Sequence, residues 1–281
     1  MSYVKTAVLL AGLIALFVWV GRVVGGEQGM MLGFAAGLGL ALFSYFTCAR
    51  LVLIQTGSRE VSPEEAPRLA GIVKRLCDRA GLPMPRLAVM PQDQPNAFAT
   101  GRNPKHAVVC VTEGILDAMD DDELEGVLAH ELGHVKNRDI LIMTMVATFA
   151  GAISVLAMIA QFSAYAGGGR GRDDEDRGNP LAMLLVALTA PLVAGLVQAM
   201  ISRTREFAAD RQGAELAGSP EGLASALEKL GSLTRRLPWQ GQAQATAHLF
   251  IANPLSGGLA GLFATHPPIE ERVARLRAMR A

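Results

Sequence analysis

A chain of 281 residues has room for one large domain or two small ones. Apolar residues make up 51 % of it and charged residues only 19 %, a balance too apolar for an ordinary soluble domain. Its 26 basic and 26 acidic residues cancel to a formal charge of zero, which leaves no electrostatic footprint for a nucleic-acid partner. Cys48, Cys77 and Cys110 form no CxxC pair. Widely spaced and odd in number, they read as small apolar residues in a reduced compartment.

Crossing about 30 Å of hydrocarbon takes roughly 20 mostly apolar residues. Four runs reach that length: about Thr6 to Val24, Gly29 to Ala49, Ile140 to Ala166 and Pro180 to Ser202. The first lacks a clear small-residue cleavage site and is followed almost at once by the second, so it reads as an anchor rather than a removable leader. Glycines in "GFAAGLGLA" suit close helix packing in a bilayer. A buried helical hairpin is the alternative for the third and fourth runs, because Pro191 and Gly195 interrupt the fourth.

With four crossings, the N-terminus, residues 50–139 and everything after 202 share one side of the membrane. That side carries Lys5, Arg50, Arg59, Lys136, Arg138, Arg203 and Arg205 near the span ends. By the positive-inside rule it faces the cytoplasm. The connector "GGGRGRDDEDRGN" balances arginines with acids and reads as a solvated linker.

Between the second and third runs, "SPEEAPRLAGIVKRLCDRAG" predicts a helix with Ser62 at its N-cap, Pro63 at its first position and Gly81 at its end. "RLAVM", "NAFATG" and "HAVVCVT" read as strands. "TEGILDAMDDDELEGVLAHELGHVKN" returns to helical period with acids suited to a helix start. Beyond residue 202, "REFAADRQGAELAG" and "SPEGLASALEKLGSL" are helical, and "THPPIEERVARLRAMRA" reads as a turn followed by a basic amphipathic helix.

Chemistry concentrates in "VLAHELGHVKNRD". On a helix, residues four apart lie on one face, so His130 and His134 can direct two imidazoles at one ion. Glu131 beside them can deprotonate a water, and zinc at such a site makes hydrolysis feasible at neutral pH. A catalytic zinc site has three protein ligands. Glu206 is the candidate third ligand, with Asp210 four residues on as the acceptor that orients a histidine ring. His248 and His266 compete for the ligand role but have no acidic neighbour at helical spacing. The intervening hairpin returns both ligand-bearing helices to one side, which puts the site against the membrane.

Four stretches, "NAFATGRNPKHAVVCVTEGIL", "DELEGVLAHELGHVKNRDI", "SRTREFAADRQGA" and "THPPIEERVARL", resemble the HtpX-type membrane zinc metalloproteases, whose wider family includes the CAAX prenyl endoproteases. The resemblance implies an α+β, zincin-like protease domain combined with four transmembrane helices. It divides the chain into residues 1–50, an anchor of two spans; 51–139, the first part of the protease domain; 140–202, the membrane hairpin; and 203–281, the second part with the third ligand. It implies one Zn2+ per chain held by His130, His134 and Glu206, with Glu131 as general base and acid and Asp210 behind the ligands. It further implies that Asn96, Ala97 and Phe98 contact an extended substrate along an edge strand, and that His266 or Arg203 helps to stabilise the oxyanion. Substrates would be membrane proteins or unfolded polypeptides, damaged ones above all, cut at the cytoplasmic face of the inner membrane under stress.

Two other functions remain. One is a prenyl-protein processing enzyme, disfavoured because four spans enclose little chamber for a lipid chain. The other is a membrane scaffold stabilised by zinc without catalysis. Glu131 argues against the second, since a structural site has no use for a non-ligand acid.

Overall fold

The computed structural model describes residues 2–147, 203–237, 239, 246, 249–252 and 267–279. Helix α1 (Ser2–Thr56) is two arms joined at Gly25 and Gly26. Gly26 has φ 60° and ψ −140°, a conformation open to glycine and closed to residues with a Cβ. The arms lie close together: a Cβ on Gly33 would run into the Phe17 carbonyl, as the glycine-rich stretch led one to expect. The second arm, Gly25–Thr56, is long and apolar enough to cross a membrane, and Thr6–Trp19 forms a shorter apolar helix. Trp19, Leu32, Phe34, Leu42, Phe43 and Phe46 are exposed along these arms. Residues 140–147, at the start of the third apolar run, are helical and buried. The rest of that run and the whole of the fourth lie outside the described residues. Among those described, one helix rather than four is clearly of membrane length.

After α1 come β1 (Arg59–Val61), α2 (Pro67–Ala80), β2 (Arg86–Met90), β3 (Ala97–Gly101), β4 (Ala107–Thr112), α3 (Glu113–Ala118) and α4 (Asp121–Lys136). Beyond residue 202 lie α5 (Arg203–Ala217), α6 (Glu221–Arg236) and α7 (Ile269–Ala278). The strands form one sheet in the order β1-β2-β4-β3. β2 and β4 are parallel, and β1 and β3 are antiparallel to their neighbours. The second predicted strand, β3, is therefore an edge.

Two local expectations change. Helix α2 begins at Pro67 rather than near Pro63. Pro67 bars the helical conformation from the residue before it, and Ala66 sits at φ −133°, ψ 64°. Ser62 and Glu65 close a separate turn, in which each side chain accepts from the other's backbone N–H. The long helix expected from residue 112 is two helices, α3 and α4. Asp120 starts the second: its carboxylate accepts from the Glu123 N–H, and the Glu123 carboxylate accepts from the Asp120 N–H. This reciprocal cap makes a new start cheaper than continuing through Met119.

Helix α4 is the centre of the soluble part. It packs against α2, α5, α6 and β3, and Leu124, Val127, Leu128, Leu132 and Val135 join the main core with Leu69, Leu76, Val109, Leu223 and Leu227. The other face of the sheet is buried too. There Met90, Phe98 and Cys110 pack on Val52 and Leu53 of α1, Ile142 and Phe250. The long apolar arm and the sheet thus share a core.

Candidate metal centre

A helix buried on all sides is normally apolar, yet α4 carries His130, Glu131 and His134 at 0 %, 2 % and 3 % exposure. Each such group needs a partner or a ligand. Helix α5 supplies partners by lying directly on this stretch. A Cβ on its Gly213 would sit 2.9 Å from the His130 backbone nitrogen, so only glycine permits the approach. Two turns earlier Glu206, 3 % exposed, reaches both rings. Its Oε2 is 3.8 Å from His130 Nε2 and its Oε1 3.6 Å from His134 Nε2.

One ligand atom from each of His130, His134 and Glu206 falls within 4.8 Å of the others, a group that could hold a metal ion. The hydrogen bonds support that fit. His130 Nδ1 is 2.9 Å from Asp210 Oδ1, so its proton belongs on Nδ1 and the Nε2 lone pair points inward. That Nε2 is buried and has no hydrogen-bond partner, as expected of an atom reserved for a metal. Two imidazoles and a carboxylate are a donor set that zinc takes.

Behind His130 stands Arg272, 0 % exposed. It donates to Asp210 through Nε at 2.9 Å and Nη2 at 2.6 Å, and through Nη1 to the Ile251 carbonyl at 3.0 Å. Burial alone would raise the Asp210 carboxyl, but Arg272 and the His130 hydrogen bond outweigh it and hold it well below the usual carboxylate range. Burial lowers His130 to about 4, with the Arg272 charge offsetting what Asp210 adds. Burial would also lower His134, but Asp139, Glu206 and Glu131 outweigh it and push that ring up to about 9. Asp139 Oδ2 lies 3.6 Å from His134 Nδ1.

Of the expected site residues, His130, Glu131, His134, Glu206 and Asp210 are brought together. Asn96, Ala97 and Phe98 run along the edge of the sheet and are buried. Arg203 is the first described residue of α5 and is exposed. His248 and His266 lie outside the described residues. Sequence reasoning passed over Arg272 and Asp139. The first sat in a helix read only as basic and amphipathic, and the second closed the histidine motif without a role.

A helix-borne pair of histidines, an adjacent glutamate and a carboxylate from a second helix define a metalloprotease-type centre. Residues 63–280 match peptidase family M48, and the chain belongs to that family. A protease HtpX homologue of Desulfatibacillum aliphaticivorans is 52 % identical over 280 residues, covering 99 % of this chain and 90 % of the relative. One from Pelotomaculum thermopropionicum is also 52 % identical over 280 residues, covering 99 % of each chain. In fold, the chain is similar to the crystal structure of S. mikatae Ste24p with a TM-score of 0.50 at 18 % identity. That match covers 98 % of this chain but 64 % of the other, so this chain spans just under two thirds of it. The protein is a metalloprotease of the membrane.

Proposed function

We propose that the protein is a multi-pass zinc endopeptidase of the inner membrane that cuts damaged or unfolded membrane proteins on the cytoplasmic side. The observation that carries the proposal is the convergence of His130, His134 and Glu206 within 4.8 Å, with Glu131 beside them on the same buried helix. Four spans, two of them in residues 140–202, hold the two ligand-bearing helices at the membrane surface.

In this reading His130, His134 and Glu206 hold the zinc ion, and Asp210 fixes the His130 ring. Bound there, zinc supplies Lewis acidity that activates water and polarises a carbonyl. Glu131 takes the proton from the attacking water and delivers it to the leaving amine. The main chain of β3 at Asn96, Ala97 and Phe98 aligns an extended substrate as an added strand. Arg203 and His266 are the candidates to face the oxyanion. Hydrolysis in one step needs no covalent enzyme intermediate.

The test uses purified full-length protein in detergent with an unfolded model polypeptide. Cleavage with zinc, its loss with a chelator and its return when zinc is restored are expected. Cleavage unaffected by the chelator would remove the reading.

A further inference from the structure

Asp139 stands where three parts of the chain meet. Its N–H donates to the His134 carbonyl at 3.0 Å, and the Arg138 N–H donates to the Val135 carbonyl at 3.1 Å, a pair of bonds that turns the chain sharply off the end of α4. The turn holds Arg138 at φ 60°, a left-handed conformation that residues with a Cβ disfavour. The Asp139 carbonyl then accepts from Met143 at 3.2 Å, in the helical segment that leads into the third apolar run. Its side chain is 8 % exposed and is aimed in two directions. Oδ2 is 3.6 Å from His134 Nδ1, and Oδ1 is 3.7 Å from Arg205 Nη1. His134 Nδ1 is itself buried without a hydrogen-bond partner, and this carboxylate is the acceptor that faces it.

We propose that Asp139 is the positioning residue for His134, and that its pairing with Arg205 ties both ends of the 140–202 segment to the metal centre. Residue 139 precedes that segment and residue 205 follows it. A change at either end of that segment therefore reaches His134 through one carboxylate. The proposal rests on His134 being a metal ligand.

Zinc competition against a chromophoric chelator tests it on the full chain in detergent. Asp139→Ala should weaken zinc affinity about tenfold and Asp139→Asn, which keeps an acceptor, by less. Arg205→Gln should fall between wild type and Asp139→Ala. The metal-free thermal transition of each variant separates lost affinity from lost folding. Wild-type affinity in a folded Asp139→Ala variant would overturn the proposal. His134→Ala binding zinc as tightly as wild type would instead overturn the ligand assignment beneath it.

A different observation lies at the free edge of β3. The Ile251 N–H donates to the Ala97 carbonyl at 3.0 Å. The Asn96 side chain donates to the Ala252 carbonyl at 2.8 Å and accepts from the Ala252 N–H at 3.3 Å. Ile251 stands beside Ala97 and Ala252 beside Asn96, so this segment covers the start of the edge. Phe250 is buried between Phe98 and Trp239, with ring centroids 5.3 and 4.8 Å away. At the other end of the edge, the Gly101 N–H donates to Thr144 Oγ1 at 3.0 Å. A substrate strand needs outward-facing groups two residues apart, here those of Ala97 with Ala99. The structure assigns residues 249–252 as an internal cover that occupies the Asn96–Ala97 end of the substrate edge and must leave before a polypeptide is cut.

Ile251→Pro removes the donor to Ala97 and should raise kcat/KM on an unfolded polypeptide about fivefold, the worth of one main-chain hydrogen bond. Ala97→Cys combined with Ile251→Cys should give an oxidised form at least about tenfold slower, restored by reductant; the native cysteines are buried and leave the new pair to itself. A folded, zinc-loaded Ile251→Pro variant no faster than wild type, or an oxidised pair as fast as its reduced form, would overturn this assignment. A wild-type protein that cuts nothing would overturn the proteolytic reading on which it rests.

Discussion

The two histidines lie four residues apart on one helix, and the surroundings of their outward nitrogens differ sharply. His130 is backed by an aspartate at hydrogen-bond distance that is itself gripped by a buried arginine. His134 faces an aspartate just beyond hydrogen-bond distance, whose arginine is longer still at 3.7 Å and partly exposed. On the first side positive and negative charge are matched. On the second, Asp139, Glu206 and Glu131 converge on one ring, a surplus of negative charge suited to a divalent cation. One half of the centre is a rigid anchor. The other is held by longer contacts, beside the start of the 140–202 segment.

The comparison can be broken most completely at the residue common to both halves. Glu206→Ala removes the carboxylate that faces both Nε2 atoms and should abolish zinc binding, read as metal content after purification. Arg272→Leu attacks the anchor alone. It leaves the Asp210 carboxylate buried beside no cation, and chemical denaturation should show a loss of about 3–5 kcal/mol. Zinc affinity sharpens the contrast further. Asp210→Ala should cost about a hundredfold against about tenfold for Asp139→Ala, the two ends of the range seen when a ligand loses its supporting partner. Equal losses would mean that the two sides are braced alike.

The legible part of this site is the part fixed by helical spacing. His130 with His134, and Glu206 with Asp210, are each four apart, so one helix places each pair on one face. The polar faces of α4 and α5 followed from the same local patterns, whereas the edge position of β3 came from the family resemblance, because spacing along one strand gives no strand order. Asp139 was hidden because its reach depends on the left-handed turn at Arg138, where no glycine marks it. Arg272 was hidden among like residues: nothing in "IEERVARLRA" separates it from the exposed Arg275 and Arg277. Only the packing of α7 on α5, distant in sequence, selects it. The start of α2 was misplaced because two Ser-Pro-like signals, at Pro63 and Pro67, lie within one turn. The cover over β3 is tertiary, and its residues carry no strand pattern of their own.

The central claim is that Glu131 moves the proton in a zinc-dependent hydrolysis. Glu131→Gln keeps the shape of the side chain and the three ligands but cannot accept that proton. Zinc content and cleavage of an unfolded polypeptide, measured on the same preparations of wild type and variant, test it most directly. The account predicts equal zinc in both and a loss of cleavage in the variant of at least about a hundredfold. A variant that holds zinc and cuts as fast as wild type would contradict it.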